Sequence, residues 1–154
     1  MKSKLTFVDA EIEDSKLLSS TAFISKKNWG YSNDLMNLWK EDLEVTEDYI
    51  RENKTVKAFD GKTFLGFFAI KNIDTQNAEL DHLWLKPESI KKNYGREIFS
   101  HIIEYLSSNG IEKMILIAEP NAIGFYQKMN GSPVGKFQSK ISGRFLDIYE
   151  FKIK

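Results

Sequence analysis

The sequence predicts an α+β domain with a central mixed, mostly antiparallel twisted sheet of about seven strands flanked by about four helices. Three observations predict it. Strand-length apolar runs cluster between residues 56 and 85, a long amphipathic stripe fills 94–107, and a further apolar run at 114–118 follows that stripe. Residues 5–8 form a short opening strand. Leu17, Leu18, Thr21, Ala22 and Ser25 recur at helical spacing until Trp29-Gly30-Tyr31 interrupts them, which gives a first helix. Ser32-Asn33-Asp34 supplies N-cap side chains for a second, with Leu35, Leu38 and Trp39 on one face, and Thr46 followed by Asp48 starts a further turn. Residues 56–59, Asp60-Gly61 as a tight turn, and 63–70 form a hairpin, to which 77–85 adds a third strand. Ile98, Phe99, Ile102, Ile103 and Leu106 make one helical stripe that stops at Asn109-Gly110, a C-cap signal. Residues 121–129 form a short helix packing on Ala122, Phe125 and Met129, and 134–137 with 145–153 close the sheet. The strand, helix and strand over 78–118 imply one parallel pairing.

Composition narrows the function. A chain of 154 residues, 42% hydrophobic and 13% aromatic, suits one compact domain over 1–154. Its 22 Lys and Arg balance 22 Asp and Glu, so no net field favours nucleic acid or an anionic membrane as partner. With no cysteine, and His82 and His101 as the only histidines, disulfides, thiolate nucleophiles and a structural metal are not expected. The apolar run before Asp9 and Glu11 is too short for a signal segment or a membrane span, and a cytoplasmic protein is expected.

Two segments carry chemistry. The first joins the strand at 77–85 to the long helix and reads Leu83-Trp84-Leu85-Lys86-Pro87-Glu88-Ser89-Ile90-Lys91-Lys92-Asn93-Tyr94-Gly95-Arg96. A helix N-terminus offers unpaired N–H groups and partial positive charge, and Lys91, Lys92 and Arg96 add full charges, a cradle suited to pyrophosphate. An ordinary loop with solvated lysines would read the same way. The second is Glu119-Pro120-Asn121-Ala122-Ile123-Gly124-Phe125-Tyr126-Gln127-Lys128-Met129. A helix cap accounts for Asn121 and core packing for Phe125, but neither accounts for the Tyr126 hydroxyl.

The two segments, with the order of elements around them, resemble the GNAT superfamily of N-acetyltransferases. The family's Gln/Arg-x-x-Gly-x-Gly/Ala falls on residues 90–95, and its Asp-Pro-Asn-Ala-x-x-Phe-Tyr-x-x-Met-Gly falls on 119–130. Ser142-Gly143-Arg144-Phe145-Leu146 is similar to a C-terminal family motif, and Trp29-Gly30-Tyr31 with Leu38-Trp39 to the helical half of a subgroup. Ile90, Asn93, Glu119, Asn130-Gly131 and Asp147 depart from the pattern. Of these Asn93 bears most on the loop, and Asn is the residue after glycine best suited to a left-handed turn.

The resemblance implies a fold, a co-substrate and roles. Acetyl-CoA is the expected donor, with no metal. Leu83, Trp84 and Leu85 would hold the pantetheine arm in the opening between splayed strands; Lys91, Lys92, Asn93, Tyr94, Gly95 and Arg96 would hold the pyrophosphate, and Asn121 the pantetheine amide. Tyr126 would stand by the sulfur as general acid, since a phenol near pKa 10 matches a thiolate of similar basicity. Glu79 is the leading base, with Asp81, His82 or a water relay as alternatives; strand parity puts Glu79 and Asp81 on one face and His82 on the other. The acceptor is an unidentified amine of a small molecule or protein. Trp29, Tyr31, Asp34, Trp39, Glu41 and Asp42 would form one wall of its site. Members are often dimers, so a homodimer is a further expectation. A CoA-binding sensor without turnover and an interaction module without nucleotide are the competing readings.

Overall fold

The computed structural model describes residues 5–90 and 92–153. Seven strands occur among them: β1 (Leu5–Asp9), β2 (Lys54–Asp60), β3 (Thr63–Asn72), β4 (Asn77–Leu85), β5 (Lys113–Ile117), β6 (Ser132–Gln138) and β7 (Phe145–Lys152). Five helices accompany them: α1 (Ser15–Lys27), α2 (Asn33–Leu43), α3 (Glu47–Glu52), α4 (Tyr94–Ser108) and α5 (Ile123–Lys128). The strand order β1-β2-β3-β4-β5-β7-β6 is antiparallel in its described pairings except for a parallel β4–β5 pair, as the strand-helix-strand pattern requires. Five helices replace the four expected, because the turn at Thr46 grows into α3: the Thr46 hydroxyl accepts the Tyr49 N–H at 3.0 Å and starts a helix that ends at Asn53.

The described residues group into two compact units. The first holds residues up to 70 together with His82–Ser100. Its long β3 is buried from Leu65 to Ile70, the continuous pattern of a strand covered on both faces. The β2–β3 loop is Gly61-Lys62, since Asp60 pairs with Thr63; the turn lies one residue later than Asp60-Gly61 because Asp60 stays in the ladder and Gly61 takes a left-handed φ of 60°. A bulge follows at Leu65, between the pairs Ala58↔Gly66 and Phe59↔Phe64. On the helical side, Val45 is fully buried and pinned to α1: its N–H donates to Ser19 Oγ at 2.8 Å, and its carbonyl accepts the Ser15 hydroxyl at 2.6 Å.

The second unit holds Lys71–Asp81 and residues from His101 onward. Its core gathers Ala78, Leu80, Ile102, Leu106, Met114, Leu116, Tyr149 and Phe151. Here β4 and β5 pair only as Asn77↔Lys113, Ala78↔Met114 and Glu79↔Ile115. Beyond that point β4 runs on through Leu80 and Asp81, while Leu116 and Ile117 pair with Tyr149 and Ile148 of β7. The edge strand β6 is exposed at every position.

Candidate active site

In the first unit, β4 ends at Leu83, Trp84 and Leu85, all half-buried, and leads through Lys86 into a 3-10 turn, Pro87–Ser89. The strand end is held against β3: the Lys86 N–H donates to the Leu65 carbonyl at 2.8 Å, and a Cβ at Gly66 would overlap the Trp84 carbonyl oxygen and the Leu85 Cα. No side chain fits at position 66, a constraint that becomes legible only once the bulge brings the two backbones together. The Lys86 ammonium pairs with Glu88 at 3.2 Å. Asn93 stands immediately before α4 with φ 67°, the left-handed geometry that a loop glycine would otherwise supply. Tyr94, Gly95 and Arg96 form the first turn of α4, whose main-chain N–H groups lack helical partners by construction. Lys92 and Arg96 are exposed. The Tyr94 hydroxyl donates to Asp60 Oδ2 at 2.6 Å, which ties the start of α4 to the end of β2 and commits that side chain to the fold. Lys91, expected in the cradle, lies outside the described residues.

His82 is on the buried face of β4 with Ala78 and Leu80, and Glu79 and Asp81 are on the other, as parity requires. Its Nδ1 accepts the Trp84 Nε1–H at 3.0 Å, and its ring meets Tyr49 edge-to-face at 5.5 Å. That environment makes His82 a buried support for Trp84.

Glu79, Asn121 and Tyr126 fall in the second unit. Glu79 is half-buried at the last β4–β5 pair; burial raises its carboxyl pKa above the ordinary range, the neighbouring Asp81 adds to the rise, and Lys71 opposes it. Asp81 itself pairs with Lys71 at 3.7 Å. Glu119 Oε1 accepts both the Asn121 N–H at 3.1 Å and its Nδ2 amide at 2.7 Å, so the cap expected at Asn121 is supplied two residues earlier by Glu119, at the start of the 3-10 turn Pro120–Ala122.

Tyr126 is the buried residue of α5, 8% exposed, while Phe125 and Met129 are only half-buried. The core stripe is therefore one residue removed from the expected one. Its ring packs against Phe125 at 5.5 Å, Phe151 at 6.3 Å and Tyr149 at 6.4 Å. Burial first, and the charge of Glu119 second, push its phenol pKa well above 10. The helix closes in a Schellman arrangement, with Asn130 N–H to the Gln127 carbonyl and Gly131 N–H to the Tyr126 carbonyl, and Asn130 takes φ 73°. Gly131 is needed one place later, where a Cβ would stand 2.6 Å from the Phe151 ring.

The described residues contain no cluster of three or more His, Asp or Glu able to hold a metal ion, and no helix long and apolar enough to cross a membrane. The model of the acetyltransferase (GNAT) family matches residues 22–131. Among solved structures, the chain is similar to the PaiA N-acetyltransferase of Thermoplasma acidophilum, in complex with coenzyme A, at 25% identity and TM-score 0.74 over 97% of this chain and 99% of that one. It shares its fold with a GCN5-related N-acetyltransferase from Rhodopseudomonas palustris, at 15% identity and TM-score 0.79 over 99% and 98%. It likewise shares its fold with a GNAT family acetyltransferase from Elizabethkingia anophelis bearing acetyl-CoA, at 10% identity and TM-score 0.72 over 98% and 99%. No match is found among the curated proteins.

Proposed function

The chain belongs to the GNAT family of acetyltransferases, and we propose that it moves the acetyl group of acetyl-CoA to a primary amine of a small molecule or protein in the cytoplasm, by direct attack in a ternary complex. The end of the parallel pairing at Glu79↔Ile115, inside the second unit, carries this reading, because Leu80 and Asp81 continue β4 without a β5 partner and a pantetheine arm needs such free strand backbone. The residues present fit the co-substrate. Main-chain N–H groups at the start of α4, with Lys92 and Arg96 beside them, suit the pyrophosphate, and the left-handed Asn93 keeps the turn that aims them. Leu83, Trp84 and Leu85 hold the arm, and Asn121 meets its amide.

In the reaction Glu79 takes a proton from the acceptor ammonium, and the neutral amine attacks the thioester carbonyl. The tetrahedral intermediate then expels the thiolate of CoA, which takes the Tyr126 proton, and the surplus proton on the new amide nitrogen returns to the phenolate. Each group suits its part. A raised carboxyl pKa makes Glu79 a stronger base than an exposed glutamate. A raised phenol pKa keeps Tyr126 protonated at every physiological pH, and the desolvation that weakens it as an acid strengthens a thiolate held beside it as a base.

Two measurements test the proposal. Acetyl-CoA at 100 times its Kd should stabilise the protein by about 2.7 kcal/mol in a thermal-shift titration. Thiol release should then appear with at least one member of a panel of polyamines, amino acids, aminoglycosides and peptides. Stabilisation without release from any amine would favour a sensor, and no stabilisation would remove the nucleotide altogether.

A further inference from the structure

Lys26, in the last turn of α1, holds its ammonium 4.3 Å from the centroid of the Trp39 ring, 5.3 Å from Tyr31 and 6.0 Å from Trp84. A surface lysine ordinarily keeps its head in water and buries only its stem. Here three aromatic rings from separate segments surround the head, an arrangement that recognises alkylammonium groups in general. The rings do not depend on Lys26 for their positions. Trp84 is fixed through its indole N–H by His82, which is itself packed on Tyr49 and Phe67. Tyr31 and Trp39 meet edge-to-face at 4.8 Å, and Trp39 is 6% exposed on the core side of α2.

We propose that Tyr31, Trp39 and Trp84 form a binding site for an alkylammonium group, which Lys26 fills as a tethered stand-in until the ligand displaces it. A tethered lysine competes at high effective concentration, so the site favours ligands that bring a second point of attachment. This inference stands apart from the acetyl-transfer reading: it assigns to the first unit a site for a ligand that carries an alkylammonium group.

The test is made without acetyl-CoA, so it stands apart from turnover. Binding of choline and of its neutral isostere 3,3-dimethylbutan-1-ol is followed by tryptophan fluorescence, since two of the three tryptophans line the cage. In Lys26→Ala the helix gains its best former and the cage loses its occupant. Choline should bind this variant about 10-fold more tightly than the parent and more tightly than the isostere, and Lys26→Arg should bind as weakly as the parent. Adding Tyr31→Leu to Lys26→Ala should cancel the gain. Equal choline affinity in parent and Lys26→Ala, or equal binding of the isostere and choline by Lys26→Ala, would overturn the proposal. Absence of acetyl transfer to any amine would instead count against the enzymatic reading, whatever choline does.

Discussion

Replacing Tyr126 with Phe removes one oxygen and keeps the ring. The contacts with Phe125, Tyr149 and Phe151 are ring contacts, so the core around position 126 should survive, with a stability change under about 1.5 kcal/mol from the lost hydroxyl. Acetyl-CoA affinity should stay within roughly threefold of the parent, because the pyrophosphate and the pantetheine arm are assigned to other groups. Turnover should not survive so well. Loss of a positioned acid costs on the order of 10²-fold in kcat, or about 2.7 kcal/mol of barrier, which thiol release under saturating acetyl-CoA reads directly. The pH dependence of folding gives a second, independent handle. In the unfolded chain the phenol ionises near pH 10, while burial and Glu119 hold the native phenol protonated above that. The native state therefore retains a proton that the unfolded state has lost, and the parent's stability falls as pH rises past about 10, by up to about 1.4 kcal/mol per pH unit. The Phe variant lacks that loss, so the two curves should run parallel below about pH 9 and diverge above it. A variant that keeps kcat within roughly threefold would remove Tyr126 from the chemistry, and curves parallel up to pH 11 would contradict its burial.

Three further outcomes follow from the same geometry. Because Glu79 is raised by burial and by Asp81, the acid limb of kcat/KM should lie above the ordinary carboxylate range; Asp81→Asn should move it to lower pH and Glu79→Gln should abolish it, whereas a limb unmoved by both would place the base elsewhere. With φ at 67°, Asn93→Gly should be near neutral for folding and Asn93→Val should lose about 1–2 kcal/mol by chemical denaturation, an equal result for both ruling out the left-handed turn. Gly131→Ala would set a Cβ 2.6 and 2.7 Å from two carbons of the Phe151 ring, which packs on Tyr126, so a loss of about 1–3 kcal/mol should come with lower turnover; an unchanged melting temperature would refute the close approach.

What could be read in advance was local. The N-caps at Ser32 and Thr46, the stripe along α4 and the parallel pair around it depend on neighbours in sequence, and each is present. The stripe of α5 was displaced for an equally local reason that periodicity overlooks: Pro120–Ala122 is a 3-10 turn. Ala122 therefore lies outside α5, which begins at Ile123, and a stripe counted from Ala122 at α-helical spacing does not carry into that helix. Three features depend on segments distant in sequence and left no mark in it. They are the bulge that presses Gly66 on the Trp84 carbonyl, the Tyr94–Asp60 hydrogen bond, and the three rings around Lys26.

The departures from the family pattern that looked most damaging concern glycine, and the backbone answers them in the same way twice. Asn93 and Asn130 are the non-glycine residues at positive φ among those described, at 67° and 73°, and each stands where a turn must reverse next to a helix end. At 130 the Schellman bonds are made, and the glycine displaced by one position is used for a different purpose, the approach to Phe151. At 93 the same substitution leaves the N–H groups of α4 in place, because an anion cradle of main-chain donors is indifferent to the side chains that carry it as long as the dihedral angles hold. What Asn93 adds is an exposed side chain that glycine lacks. In the cradle proposed above, its effect would fall on how closely a pyrophosphate approaches, with the turn itself preserved.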